Sequence, residues 1–561
     1  MNAGSSKAAG LRSISKGESM KTVWPVDRFG RWAAFTVAAL SCVALSSGAA
    51  FGRESDDDQG DDEGKVPLTV TKAVCGPEDH PEIALQGQVP ASLRAIGFQG
   101  FNCNLKLVGQ SRGDGANWQS AEFKDRMGHT CGYHGTAFST TNRTHLGAPV
   151  IDLTDPDNPT PTGHLTSISM LDPWESLKVN AQRQLLAADN AHNGMGGPEV
   201  DIYDLSGDCR EPQLLASVAV GTGTDGGDVA QVIGHEGSWA PDGLTYYGGS
   251  PVQHIYYAVD TADPTAPKLI TRWLTPYGAP PVPGTYTDGG SHGLSISDDG
   301  NRGYMVSIGI NPNLAALTDP AVGPTNGLLI YDLSDIQSRK ANPQIKLISS
   351  VLWKDGSAAQ HTIPVKIRGK PYIIFVDEGG SGGVSGAAQE QAACAAGLTP
   401  FPLARIIDIS DETKPKVVSR LGLEVHNPAN CAKVLPDLVG LAIFTYGSHY
   451  CSVDNKDNAT TLACGYFNSG IRVFDIRHPR HAKEIAYFNP AGTTTPSPGS
   501  NHAGFGQWRA GGPDWCNAQV HLDAERGTVW TTCQDNGLLM LKFERGVWPF
   551  EDSRTPPGEQ N

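Results

Sequence analysis

The chain has 561 residues and a formal net charge of −16 at pH 7, with 66 glycines, 39 prolines and only 7 methionines. Binding a phosphate backbone needs clustered Lys and Arg, so this acidic balance with scattered basic residues excludes a nucleic-acid partner. Abundant glycine and proline with few helix-periodic stretches predict many short strands joined by tight turns, and little helix.

In chain order, Lys21, Arg28 and Arg31 precede the apolar run from Ala33 to Leu45, and small residues follow from Ser46 to Ala50. This is the pattern of a secretory signal peptide, expected over residues 1–52 with cleavage between Ala49 and Gly52. The apolar run is short for a membrane span, and no later stretch approaches the roughly 18 continuous apolar residues that one requires. The mature chain is therefore expected to be secreted or periplasmic in a bacterium, without a membrane span; an uncleaved anchor is the alternative. Of the 11 cysteines only Cys42 lies in the signal, so the other ten meet an oxidising compartment where disulfides are the default. Cys451 with Cys464 and Cys516 with Cys533 are the expected pairs, each flanking a predicted hairpin.

Residues 53–99 begin with the acidic run Glu54 to Glu63, whose like charges repel, and read as a disordered spacer and lead-in. From residue 100 to 545 one phrase recurs: an apolar strand ending in Asp, then a turn rich in Ser, Thr, Asp and Pro. The terminal Asp is Asp152, Asp204, Asp260, Asp332, Asp408 and Asp475, at intervals of 52, 56, 72, 76 and 67 residues. Such spacing, varied by inserted loops, signals radial repetition of four-stranded blades. Asp and Ser/Thr side chains can bond nearby backbone groups and fix each turn, while Pro stops the strand. The last repeat offers only three strands, near 519–522, 528–533 and 537–543, before a polar tail at 546–561. Leu105 to Gly109 stands alone at the front and resembles the outer strands at Lys268, Lys346 and Lys416. An all-β, seven-bladed β-propeller closed by this N-terminal strand in the last blade is the expected fold, since closure removes exposed edges.

Gly327-Leu328-Leu329-Ile330-Tyr331-Asp332-Leu333-Ser334-Asp335 and Gly470-Ile471-Arg472-Val473-Phe474-Asp475-Ile476 resemble the repeat of the bacterial LVIVD-repeat proteins. The resemblance implies a propeller and little about chemistry. Several copies lack the second Pro of that repeat, and loops are enlarged at 309–326 and 379–403. Ser238-Trp239-Ala240-Pro241-Asp242-Gly243 is similar to the strand-and-turn phrase of TolB-type propellers, which agrees on architecture.

A second position also recurs. His235, His292 and His361 each lie eight residues before a turn glycine, namely Gly243, Gly300 and Gly369. Innermost strands surround the propeller axis, so such residues converge on one mouth of the central channel. Gly128-His129-Thr130 looks like Gln360-His361-Thr362, and Trp174-Glu175-Ser176 fills the slot of the second blade. In the sixth blade the candidates are His426, Asn427 and Cys431, and His449-Tyr450-Cys451 reads as part of a disulfide hairpin. His129, His235, His292 and His361 would suit one transition-metal ion, Cu, Fe, Zn or Mn, with Glu175 or Glu378 handling protons. Carotenoid-cleaving oxygenases and copper-dependent selenium-binding proteins have comparable axial histidines, but their motifs are absent here. The bland alternative is a ring of histidines bonded to adjoining blades, and a further one is a metal-free funnel for substrate or anions.

Function follows from that choice. The chain is expected to be an exported binding or scaffolding propeller acting on a small molecule or a cell-envelope protein; alternatively it is a metal-dependent oxidoreductase or hydrolase.

Overall fold

In the computed structural model the chain divides into residues 1–63 and 64–561. The structure describes residues 66–547 except 138–143, 191–198, 221–233, 252, 277–289, 310–316, 322, 385, 442 and 545. The expected signal peptide, the acidic run and the tail from residue 548 lie outside the described residues.

Seven antiparallel sheets form a β-propeller. Blade 1 is β3 (Ser120–Lys124), β4 (Thr130–His134), β5 (Ala148–Asp152) and β6 (Thr160–Leu165). Blade 2 is β7 (Lys178–Asn180), β8 (Leu185–Asp189), β9 (Val200–Asp204) and β10 (Gln213–Val218). Blade 3 is β11 (Glu236–Trp239), β12 (Thr245–Ser250), β13 (Ile255–Asp260) and β14 (Lys268–Leu274). Blade 4 is β15 (Leu294–Ile296), β16 (Arg302–Ser307), β17 (Asn326–Asp332) and β18 (Lys346–Trp353). Blade 5 is β19 (Ser357–Ile367), β20 (Lys370–Gly379), β21 (Ala404–Asp408) and β22 (Lys416–Leu421). Blade 6 is β23 (Ser448–Val453), β24 (Thr461–Tyr466), β25 (Gly470–Asp475) and β26 (Lys483–Asn489). Blade 7 is β27 (His521–Asp523), β28 (Thr528–Cys533) and β29 (Gly537–Phe543), completed by β2 (Leu105–Ser111) on its outer edge.

The seam at the N-terminal strand therefore lies where the repeat pattern places it. The preceding strand, β1 (Phe101–Cys103), adds a fifth strand to blade 6, a feature the repeats do not announce. Asn104 links the two strands with φ 58, and its side-chain amide donates to the carbonyls of Val74 and Ile485. One short segment thus clasps both blades that flank the closure.

The recurrent Asp does what its chemistry suggests. Asp152, Asp204, Asp260, Asp332, Asp408 and Asp475 each end the third strand of a blade, and each accepts a backbone N–H from two residues on at 2.8–3.0 Å. The strands before them are apolar on both faces because neighbouring blades sandwich them. Tyr304, Val306, Leu328 and Ile330 of blade 4, for example, pack with Ala359, Ile373 and Phe375 of blade 5. The β19–β20 hairpin turns through Arg368 and Gly369 with φ 50 and 77, the paired positive values of a type I′ turn.

The lead-in from Val66 onward packs against blades 5 and 6 through its apolar residues. Val89 and Phe98 are buried, Thr69 and Thr71 bridge to Gly422 and Lys483, and a helix spans Ala91–Ile96. Glu82 also pairs with the buried Arg472, which Glu484 meets at 3.1 Å. Five disulfides join the ten cysteines: Cys75–Cys103, Cys131–Cys209, Cys394–Cys431 and the two expected pairs Cys451–Cys464 and Cys516–Cys533. No helix among the described residues is long and apolar enough to cross a membrane.

Candidate functional site

The first strand of each blade lines the axis, and neighbouring first strands from β3 to β27 touch one another. At their starts the chain presents Trp118 in blade 1, Glu175 in blade 2, His235 in blade 3, His292 in blade 4 and His449 in blade 6. The backbone sets this ring: Glu175 N–H donates to the His235 carbonyl at 3.1 Å, and Glu175 bridges Glu236 in parallel.

Glu175 is the hub. Its side chain is 2% exposed, and Oε2 lies 3.2 Å from Nε2 of both His235 and His292. Oε1 lies 3.0 Å from Nε2 of His449, which is also 3.3 Å from Oε2 of Glu378 at the end of β20. The rings are aimed from behind: His292 Nδ1 bonds the carbonyl of Ala359 and His449 Nδ1 that of Asn517, both at 2.9 Å. A carbonyl oxygen only accepts, so Nδ1 carries the proton in both rings and Nε2 is the end turned to the carboxylate. Trp174 donates its indole N–H to His235 Nε2 at 3.0 Å, which makes that nitrogen a lone-pair acceptor.

The electrostatics follow. Burial works against a charged Glu175, yet its contacts with His235, His292 and His449 hold its carboxyl well below the usual range. Burial opposes protonation of His292 and His449 too, but Glu175, joined at His449 by Glu378, outweighs it and holds both rings at about 9. His235 is lowered by burial. Beside this group Lys178 meets Glu236 at 3.0 Å and Tyr450 donates to the same carboxylate; burial raises Glu236 to about 8.

Four of the expected residues, Glu175, Glu378, His235 and His292, come together, and two do not. His129 lies in the β3–β4 turn, where Nδ1 meets Asp125 at 2.9 Å and Asp208 at 3.6 Å. Its phrase imitates the blade-5 phrase, but the first strand of blade 1 has already passed, so Trp118 takes the axial place. His361 lies inside β19 beyond a register shift between Ala359 and His361, and that bulge turns it away from Glu175. Its ring stacks on Tyr450 at 4.6 Å, and its Nε2 accepts from Cys451 N–H at 3.4 Å. Burial lowers its pKa, leaving a neutral ring next to the cluster.

His449 is the residue the spacing rule passes over. The turn after β23 uses Asn455, whose side chain accepts from Asp457 N–H at 2.8 Å, in place of a glycine. A register shift between Ser448 and Cys451 re-aims His449 at the axis. His426, the earlier candidate in blade 6, is buried elsewhere, its two nitrogens engaged by Leu423 N–H and the Pro402 carbonyl at 2.8 Å each.

An aromatic wall stands beside the cluster. Trp118 lies 5.5 Å from His449 and 5.4 Å from Trp174, and Phe444, Phe467, Trp515 and Phe505 surround it. Trp174 and Phe444 hold φ 50 and 57, costly for bulky residues and an observation that points to a constrained site.

The donor set has the chemistry of a metal site. Glu175 Oε2 and His449 Nε2 are buried without a hydrogen-bond partner, and imidazole with carboxylate suits Zn, Mn, Fe or Cu. Another buried His-carboxylate group, His502 with Asp514 and Asp535, is tied down: Asp514 accepts three backbone N–H groups at 2.7–3.0 Å and Asp535 accepts Ser497 N–H at 2.8 Å.

No family model and no curated protein matches the sequence. Among solved structures, a 6-phosphogluconolactonase-like protein from Bacteroides uniformis ATCC 8492 is similar over 75% of this chain and 93% of its own, with 11% identity and TM-score 0.47. Hydrazine synthase from Kuenenia stuttgartiensis is similar over 79% and 97%, with 12% identity and TM-score 0.43.

Proposed function

We propose that the channel mouth is a transition-metal centre and that the protein is an exported metal-dependent enzyme, hydrolytic or oxidative. One observation carries this reading: a buried carboxylate, Glu175, has three imidazole Nε2 atoms within 3.2 Å, two of them on rings whose Nδ1–H is committed to a carbonyl. A ring so fixed turns Nε2 to the carboxylate, and a cation that displaces the Nε2 proton would find a lone pair and a carboxylate oxygen side by side. Glu175, His235, His292 and His449 would hold the ion, which supplies Lewis acidity and an activated water. Glu378, 14% exposed, would stand at the open side as a further ligand or as the group that takes or gives a proton. Trp174 and Trp118 exclude water from the other. Export is supported by the N-terminal charge and apolar pattern and by five disulfides.

The second reading is a metal-free binding propeller in which His292 and His449 are imidazolium ions neutralised by Glu175 and Glu378. It is favoured by the values of about 9 at both rings. Elemental analysis of protein purified without chelator separates the two. Stoichiometric transition metal, lost in a His235→Ala, His292→Ala double variant, supports the enzyme; folded, metal-free protein whose His292 and His449 rings titrate near 9 by NMR overturns it.

A further inference from the structure

The two oxygens of Glu175 face different partners. Glu175 with His235 and His292 forms one group of ligand atoms, all within 4.8 Å of one another, and Glu175 with His449 and Glu378 forms another. The first is reached through Oε2, at 3.2 Å from each imidazole, and the second through Oε1, at 3.0 Å from His449. His449 is not grouped with His235 and His292, so the five side chains make two adjacent three-atom sites that share one carboxylate. We propose that Glu175 is a bridging ligand between two metal ions, one held by His235 and His292, the other by His449 and Glu378.

This rests on the metal reading above and adds the number of ions. Several observations favour two subsites over one. A single ion would have to gather donors from both sides of Glu175, whereas each subsite already offers two donors and its own carboxylate oxygen. His449 lies against two carboxylates while His235 and His292 share one, so the acidic ligands are divided between the subsites. The orphaned buried atoms fall one on each side as well, Glu175 Oε2 in the first and His449 Nε2 in the second. Solvent reaches each subsite through one ligand, His235 at 21% and Glu378 at 14% exposure. Carboxylate-bridged pairs lie about 3.5–4 Å apart and clamp both the attacking and the leaving oxygen of a displacement. The substrate class implied is an ester or phosphoester whose reacting oxygens span two ions, with its organic part against Trp174 and Phe505.

The test is titration of the full, metal-stripped chain with Mn2+ alone, followed by elemental analysis and electron paramagnetic resonance. Two equivalents with an exchange-coupled signal are expected. Glu378→Gln should bind one equivalent with the uncoupled signal of an isolated ion, and His292→Ala likewise. Circular dichroism of each variant checks folding, and a Glu378→Asp variant, which keeps the carboxylate, should restore the second equivalent. One equivalent in the parent chain, or two without coupling, overturns the bridge and leaves the metal reading standing. No bound ion overturns both.

Discussion

His449 of the sixth blade places its Nε2 3.0 Å from Glu175 of the second, across the axis rather than along the ring. Glu175 also meets blades 3 and 4 through His235 and His292, so one buried carboxylate ties four blades. Removing its charge strands imidazolium partners in a site they cannot leave. In metal-stripped protein Glu175→Gln should cost about 3–5 kcal/mol, the range for breaking a buried pair from one side. Urea denaturation of the two proteins measures it; a loss below about 1 kcal/mol would mean the rings are neutral there.

Trp174 competes for the same nitrogen as a metal, since its N–H donates to His235 Nε2 at 3.0 Å. Trp174→Phe keeps most of the wall and deletes the donor. Zn2+ affinity should rise up to about tenfold, the worth of a neutral hydrogen bond no longer broken on loading. Calorimetric titration reads the change, and weaker binding would show instead that Trp174 positions the ring.

Asp189 gives a second pH dependence. It is fully buried between blades 2 and 3, accepts from Tyr257 O–H, and burial raises its carboxyl to about 7. The folded value lies above the unfolded one, so the stability that Asp189 contributes is present at low pH and lost as pH rises through about 7. Thermal midpoints of the parent and of Asp189→Asn should lie close together below about pH 4, draw apart between about pH 4 and 7 and keep that separation above it, the variant being the more stable. Parallel curves across that range would place the loss elsewhere.

The Cys75–Cys103 bridge closes a loop of 28 residues and fastens the lead-in to β1. Replacing both cysteines by serine should cost about 3–4 kcal/mol and open the segment 66–99 to proteolysis before the rest of the chain. Limited digestion followed by mass spectrometry tests the order of cleavage.

The ring was readable because its signals are local. Each Asp turn is written within a few residues, and the missing fourth strand of the last repeat had a matching orphan at Leu105. The site was half readable for the same reason. His235 and His292 follow a regular strand-to-glycine spacing, and Glu175 fills the equivalent slot. His361 and His449 lie at bulges, where one extra residue reverses the facing of a side chain without altering the pattern of residue types. His129 resembles the phrase around His361, which itself misses the site, and it stands in the turn after its strand. The packing of the lead-in was not legible because only a few scattered apolar residues, Val70, Val89 and Phe98, anchor it, with no repeat to mark them.

The seam at Asn104 also constrains the order of assembly. β1 pairs with β26 and β2 with β29, so the earliest strands of the propeller wait for the most distant part of the chain before finding their edges. Pairings this remote in sequence are slow to form, because loop closure must precede any stabilising contact. The open edges of blades 6 and 7 stay unpaired until synthesis is complete. Rejoining the ends and opening the chain between blades 3 and 4 would shorten both long-range pairings, and such a permuted protein should refold faster than its parent.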